Sequence, residues 1–271
     1  MVDDIDDIRS VVDETVRFLE VHKDGDGCVG DAAPWFGEPL FGGFVIAQAV
    51  SAALHWTPPE TRMHSLHAYF LRPVMLGELA YRSEPVKEGR TLTVRRLEVS
   101  QAGSPVLTMA HSFAGDTPDG YTYDLAPTTP IGAPTDHPTQ VERGPWETAN
   151  LGPTSRQPDG TYASTSRLWA RVAAPLPDDP NVHTALVAYL SDMTLTGGRP
   201  LHLDGDIRGM ISLDHAVWFH RPARADEWLH CDVHSLVNAG GRGTLRGTVR
   251  SVDGHVVLSV AQEMLLRVYD E

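Results

Sequence analysis

Three polar side chains interrupt apolar stretches of this sequence, and each is of a type that handles protons or hydrogen bonds. Asp192 follows the run Ala185-Leu186-Val187-Ala188-Tyr189-Leu190 and is predicted to close a buried helix over about 183–194. A carboxylate placed there loses water and meets the negative end of the helix dipole. Both effects raise its pKa, which suits a general base. Gln262 shares the period-2 face of Val256, Leu258, Val260, Met264 and Leu266, so its amide points into the core and needs partners there. Ser212, within Met210-Ile211-Ser212-Leu213-Asp214-His215, opens the strand that leads to Trp218-Phe219-His220-Arg221-Pro222. Taken singly, each also fits a plain structural role: a solvent-turned helix residue, a satisfied core amide, an ordinary strand residue. Asp214 and His215 have the types of an acid-base pair, but neighbours on a strand point apart, so both are read as structural.

Other local patterns exclude more than they suggest. Gly25-Asp26-Gly27-Cys28-Val29-Gly30 satisfies GxGxxG, yet Asp24, Asp26 and Asp31 crowd it with negative charge and Pro34, Gly37 and Pro39 follow. A dinucleotide site needs such a turn to open a helix whose N-terminus meets pyrophosphate, so the stretch is read as a hairpin turn. Cys28 stands where a calcium loop needs its third oxygen. His64 and His67 fall on opposite faces of a predicted strand and cannot chelate together. No GxSxG, GxxxxGK[ST] or HExxH occurs, which removes support for α/β-hydrolase, P-loop and zincin chemistry.

The elements that must hold the polar residues come in two copies. Ala68-Tyr69-Phe70-Leu71-Arg72-Pro73 recurs as Val217-Trp218-Phe219-His220-Arg221-Pro222 at an offset of 149, and Gly103 to Ala110 recurs as Gly254 to Ala261 at an offset of 151. Each copy reads as one buried helix, over about 41–54 and 183–194, followed by an antiparallel run of strands. The strands are expected near 62–71, 77–86, 90–101 and 104–113, then near 210–220, 226–236, 243–251 and 255–268. A short acidic helix over about 3–14 and a strand turning at 23–27 complete the first copy. Residues 114–165 hold 8 of the 20 prolines and 6 of the 24 glycines and are expected to be mostly irregular. The predicted domains are therefore 1–113, a Pro/Gly-rich linker 114–165, and 166–271. The fold class is α+β, a double hotdog with two long buried helices each wrapped by a curved antiparallel sheet.

Composition narrows the partners. The 271 residues carry 22 basic and 36 acidic side chains, a net charge of −14, the wrong sign for a general nucleic-acid or anionic-membrane binder. No run approaches the about 18 apolar residues of a membrane span. The N-terminal stretch is acidic where a signal peptide is basic, and no Ser-Lys-Leu address ends the chain. Cys28 and Cys231, lying far apart, give neither a disulfide framework nor a zinc site, and a cytoplasmic location is expected.

Phe41-Gly42-Gly43, His64-Ser65-Leu66-His67-Ala68-Tyr69-Phe70-Leu71-Arg72-Pro73, Tyr189-Leu190-Ser191-Asp192, the Asp214 to Pro222 string and Ala261-Gln262-Glu263 together resemble the acyl-CoA thioesterase II family over nearly the whole chain. That family's catalytic Asp, Thr or Ser, and Gln fall on Asp192, Ser212 and Gln262, with Ser212 standing where Thr is common. The resemblance implies hydrolysis of a fatty-acyl-CoA to free acid and CoA without cofactor or metal. Asp192 would take a proton from water that Ser212 and Gln262 hold, and backbone amides at a helix start, Phe41-Gly42-Gly43 among them, would face the oxyanion. The expected partners are an acyl-CoA and further copies of the chain in a homo-oligomer. Phe44, Val45, Met63 and Tyr69 either line an acyl channel or simply pack the core. Arg72, Arg199 and Arg221 are candidates for an arginine cluster at the CoA phosphates.

The matched offsets place Met63 opposite Ser212 and His111 opposite Gln262, so one working site per chain is expected, with His111 a packed core histidine or a relic. The alternative is a hotdog protein that binds acyl-CoA without this chemistry or works as an enoyl-CoA hydratase. The hydratase string with Asp and His about five residues apart is absent, and a purely binding protein has no use for the polar trio.

Overall fold

The computed structural model describes residues 5–32, 38–115, 121–127, 131–141, 144–151, 165–196 and 207–268. The chain begins with α1 (Ile5–Leu19), whose Val12, Thr15 and Leu19 recur on one side and are buried. The hairpin of β1 (His22–Asp24) and β2 (Gly27–Asp31) follows, with Gly25 at φ 55° in the turn, a conformation that favours glycine. The GxGxxG stretch is thus a hairpin and no helix opens from it. Next come α2 (Gly42–Leu54), β3 (Arg62–Phe70), β4 (Glu78–Lys87), β5 (Leu92–Gln101) and β6 (Ser104–Ala114).

The second part of the chain has β7 (Thr139–Val141), β8 (Trp146–Asn150), β9 (Thr165–Val172), α3 (Pro180–Thr196), β10 (Ile207–Ser212), β11 (Asp214–Phe219), β12 (Leu229–Ala239), β13 (Arg242–Arg250) and β14 (Val256–Val268). Three of these were not expected. β7 and β8 lie inside the Pro/Gly-rich segment and β9 at its end, and together they extend one edge of the sheet. Residues 152–164 of that segment lie outside the described residues.

Among the described residues the strands form one antiparallel sheet of order β1-β2-β4-β5-β6-β3-β11-β14-β13-β12-β9-β8-β7, with β10 also pairing β14. Outward from the β3/β11 junction the two sides match strand for strand over six strands, and β7 extends the second side by one more. There Ala216 pairs with His67, while Asp214 pairs with Tyr69 and Trp218 with Ser65. Residues related by the 149 offset therefore exchange places about the His67–Ala216 pair, as a local twofold requires. The copies also share a defect: the register slips by one residue between Met63 and Ser65 on β3, and at the matching Leu213 between β10 and β11. The expected single strand over 210–220 is broken there. The Leu213 amide reaches the Glu263 carbonyl at 2.9 Å and its own carbonyl accepts from Phe70 at 3.0 Å.

The two large helices lie side by side, α2 packing on β4 and β5 and α3 on β9, β11, β12 and β13. Phe44, Val45, Ile46 and Val50 of α2 and Ala185, Leu186, Ala188 and Leu190 of α3 are buried. Each large apolar side chain removed from water in this way contributes about 1.5–3 kcal/mol. α2 starts after Phe41, which offers no side-chain cap; the Phe44 and Val45 N–H groups bond its carbonyl, so those of Gly42 and Gly43 face partners from elsewhere in the fold.

Candidate active site

Asp192 sits on α3 with its side chain 1% exposed. The helix does not end there: it runs to Thr196, so the negative end of the dipole lies a turn beyond the carboxylate. What faces Asp192 instead is the start of α2, brought in from the other half of the sheet. A Cβ on Gly42 would lie 3.0 Å from Asp192 Oδ2 and 3.2 Å from Phe70 Cζ, so glycine makes the close approach available. The Gly43 N–H supports the carboxylate, whereas Oδ1 has no hydrogen-bond partner among the described residues. Burial pushes the Asp192 pKa up, against the lowering effects of His215, Gln262 and Gly43. The sequence-based direction holds, and desolvation is its cause.

Gln262 on β14 is 1% exposed, as its alternation predicts. Its Nε2 donates to Ser212 Oγ at 2.6 Å and its Oε1 accepts from His215 Nδ1 at 2.6 Å. Ser212 is the last residue of β10, directly opposite Met264, and the register slip at Leu213 leaves its hydroxyl within reach of the amide two residues back along β14. The three residues singled out from the sequence are thus drawn together, Gln262 and Ser212 by direct contact and Asp192 beside them.

Sequence reasoning missed His215, which is fully buried at the centre of the cluster. Its Nδ1 stands 3.9 Å from Asp192 Oδ1 and its Nε2 lies 2.8 Å from Ser191 Oγ. The two neighbours do point apart, as expected, but only Asp214 is remote from the cluster: it accepts from the Glu263 amide at 2.7 Å and meets His67 Nε2 at 3.2 Å on the other face. The signal for His215 was its strand face, shared with the buried Val217 and Phe219.

Among the described residues the first half holds no matching set. By register, Leu66 stands where His215 is and His111 where Gln262 is. His111 is 1% exposed, neither ring nitrogen has a well-formed hydrogen bond among the described residues, and burial with nearby Arg95 takes its pKa down to about 4 against the raising effect of the Met109 backbone. Phe44, Val45 and Met63 are core residues, while Tyr69 is 52% exposed and stacks on His67, so it lines no interior channel. The three arginines considered for the CoA phosphates are not brought together among the described residues. Arg72 donates to the Pro105 carbonyl, Arg221 is held at 2.9 and 3.0 Å by both oxygens of Asp124, and Arg199 lies outside the described residues. His64 and His67 have separate partners, Ser112 and Asp214, and no group of three or more potential metal ligands occurs among the described residues. No described helix is long and apolar enough to cross a membrane.

The mirrored sheet with its two packed helices is a hotdog architecture. The chain is similar to a hot dog fold protein from Alicyclobacillus acidocaldarius, with 18% identity, a TM-score of 0.77, and 95% of this chain and 99% of that one covered. Family models for the acyl-CoA thioesterase N-terminal domain and C-terminal domain match residues 32–114 and 122–266. The chain therefore belongs to the acyl-CoA thioesterase II family and is a thioester hydrolase. It is 30% identical to acyl-CoA thioesterase 2 of Haemophilus influenzae, over 96% of this chain and 99% of that protein. It is also similar to the solved structure of an acyl-CoA thioesterase II, TesB2, from Mycobacterium marinum, at 29% identity and a TM-score of 0.79, with 94% and 99% covered.

Proposed function

We propose that the protein hydrolyses fatty-acyl-CoA thioesters to free acid and CoA, with Asp192 as general base for an attacking water that Ser212 and Gln262 orient. The observation that carries this reading is the buried Asp192 carboxylate, one oxygen uncommitted, beside a Ser212–Gln262 pair already joined at 2.6 Å. A water accepting a hydrogen bond from the Ser212 hydroxyl is placed to give its proton to Asp192 as its oxygen attacks the thioester carbon. The tetrahedral oxyanion needs preorganised donors, and the first turn of α2 supplies N–H groups with no partner in their own helix. Gly43 is engaged with Asp192, which leaves Gly42 as the donor of choice. Collapse of the intermediate breaks the C–S bond, and the proton held by Asp192 passes to the departing thiolate.

The domains fit this assignment as an N-terminal hotdog over 1–113, a joining segment over 114–165 and a C-terminal hotdog over 166–271, each unit wrapping one buried helix. The mirrored strand order supports the division, and the apolar Leu66 and Met63 at matched positions support one site per chain. Exposed Leu71, Met75 and Leu76 suit contacts with another copy in a homo-oligomer, and the buried free Cys28 and Cys231 fit a reducing, cytoplasmic setting. The test is a medium-chain acyl-CoA mixed with the protein and a chromogenic thiol reagent. Continuous thiol release, slowed by about 10²–10⁴-fold in Asp192→Asn, is expected; an absence of thiol release across chain lengths overturns the assignment.

A further inference from the structure

His215 takes no part in the reaction as written above, yet its ring is the most enclosed group of the polar cluster, at 0% exposed. Its two nitrogens are clamped between Gln262 Oε1 at 2.6 Å and Ser191 Oγ at 2.8 Å. An amide oxygen only accepts, so with Oε1 facing the ring the proton is on Nδ1. Turning the Gln262 amide over would present its N–H₂ to the ring and force that proton onto Nε2. Ring tautomer and amide orientation are therefore tied. With Nε2 of Gln262 donating to Ser212 Oγ, the Ser212 hydroxyl must send its own proton outward; with the amide reversed, that proton is spent on Oε1. Ser191 Oγ fixes the far side of the ring: with Nδ1 protonated, Nε2 is the acceptor of the single Ser191 hydroxyl proton, which is turned to the ring at 2.8 Å in preference to the Ala188 carbonyl, its other acceptor at 2.7 Å.

We propose that His215 is a positioning residue: anchored by Ser191, its ring holds the Gln262 amide in the orientation that donates to Ser212, and so aims the Ser212 proton at the nucleophilic water. The proposal rests on Asp192, Ser212 and Gln262 forming the reacting site. The titratable and charged groups facing the ring are Asp192 from α3, Asp214 beside it on β11 and His67 from β3; Tyr189 faces Asp192 from a turn back along its own helix. Because the Nδ1–H end of the ring dipole lies 3.9 Å from Asp192 Oδ1 and favours its charged form, loss of the ring moves the acid limb of the pH–rate profile to higher pH.

The test compares His215→Leu, His215→Asn and Ser191→Ala in kcat, KM and the pH dependence of kcat/KM, with thermal melts as a control on folding. A misaligned reacting group costs about 10–10²-fold, so His215→Leu is expected to lose that much kcat with KM changed less than about threefold and the acid limb raised. His215→Asn, whose amide replaces the Nδ1–H donor, recovers most of the loss. Ser191→Ala falls between. Parental kcat and acid limb in His215→Leu overturn the proposal, as do equal losses in the Leu and Asn variants with an unmoved limb. Should His215→Leu not fold, Ser191→Ala decides: parental kcat and limb overturn it. Thiol release slowed in Asp192→Asn but unchanged in all three variants sinks this proposal alone, whereas a parental protein that releases no thiol sinks the hydrolase reading beneath it.

Discussion

Asp192→Asn preserves the volume of the side chain and removes its basicity, so it separates the chemical role of the residue from its place in the packing. A positioned base contributes about 10²–10⁴-fold, or about 2.7–5.5 kcal/mol of barrier. Burial raises the Asp192 pKa, which makes it a stronger base than an exposed carboxylate and puts the expected loss of kcat in the upper half of that range. Stability moves the other way. Oδ1 is buried without a hydrogen-bond partner among the described residues, and such an oxygen costs about 1–3 kcal/mol. Since the folded pKa lies above the unfolded one, the part of the cost that comes from ionising the buried group is absent below pH about 3.9, grows as pH rises from there and is complete above the folded value. The Asn variant is therefore expected to match the parent near pH 4 and to melt a few degrees higher at pH 8. Thiol release at saturating acyl-CoA and melts at both pH values measure the two effects. Near-parental kcat removes Asp192 from the chemistry, and a strongly destabilised variant at pH 8 assigns it to structure.

Ser212→Thr keeps the hydroxyl and is expected to stay within about threefold of parental kcat, while Ser212→Ala, which strands the Gln262 amide, falls by about 10-fold or more in the same assay. His111→Leu removes a buried ring whose pKa is down at about 4, so the parent loses stability as pH falls from about 6.5 and the variant does not. Denaturant unfolding is expected to show the variant gaining about 2 kcal/mol more at pH 5 than at pH 8, with thiol release unaffected. Equal gains at both pH values contradict the assignment of His111 as a neutral core histidine.

Features carried by local pattern were legible in the sequence. The hairpin at Gly25, the helix at Gly42 and the strand faces of Gln262 and His111 follow from turn chemistry and period-2 alternation, and the 149 and 151 offsets foretold the mirrored strand order. Features made by distant contacts were not. β7 and β8 are short and sit among prolines, and pairing on the sheet edge, not propensity, makes them strands. The slip at Leu213, which sets Ser212 beside Gln262, depends on hydrogen bonds to Glu263 and Phe70. Asp192 was picked out for a helix end that lies further on, while the helix start that does face it comes from residues 42 and 43. His215 was weighed against its neighbour Asp214 when its partners were Ser191 and Gln262, 24 and 47 residues away.

The central claim is that Asp192 activates water and does not itself attack the acyl group. A single turnover in H₂¹⁸O, with enzyme in excess over a medium-chain acyl-CoA, tests it directly. Water attack places one ¹⁸O in the released acid in that first turnover and leaves the Asp192 carboxylate unlabelled by peptide mass spectrometry. Unlabelled acid in the first turnover, with ¹⁸O appearing in the peptide that contains Asp192, shows an acyl-aspartyl intermediate and contradicts the account.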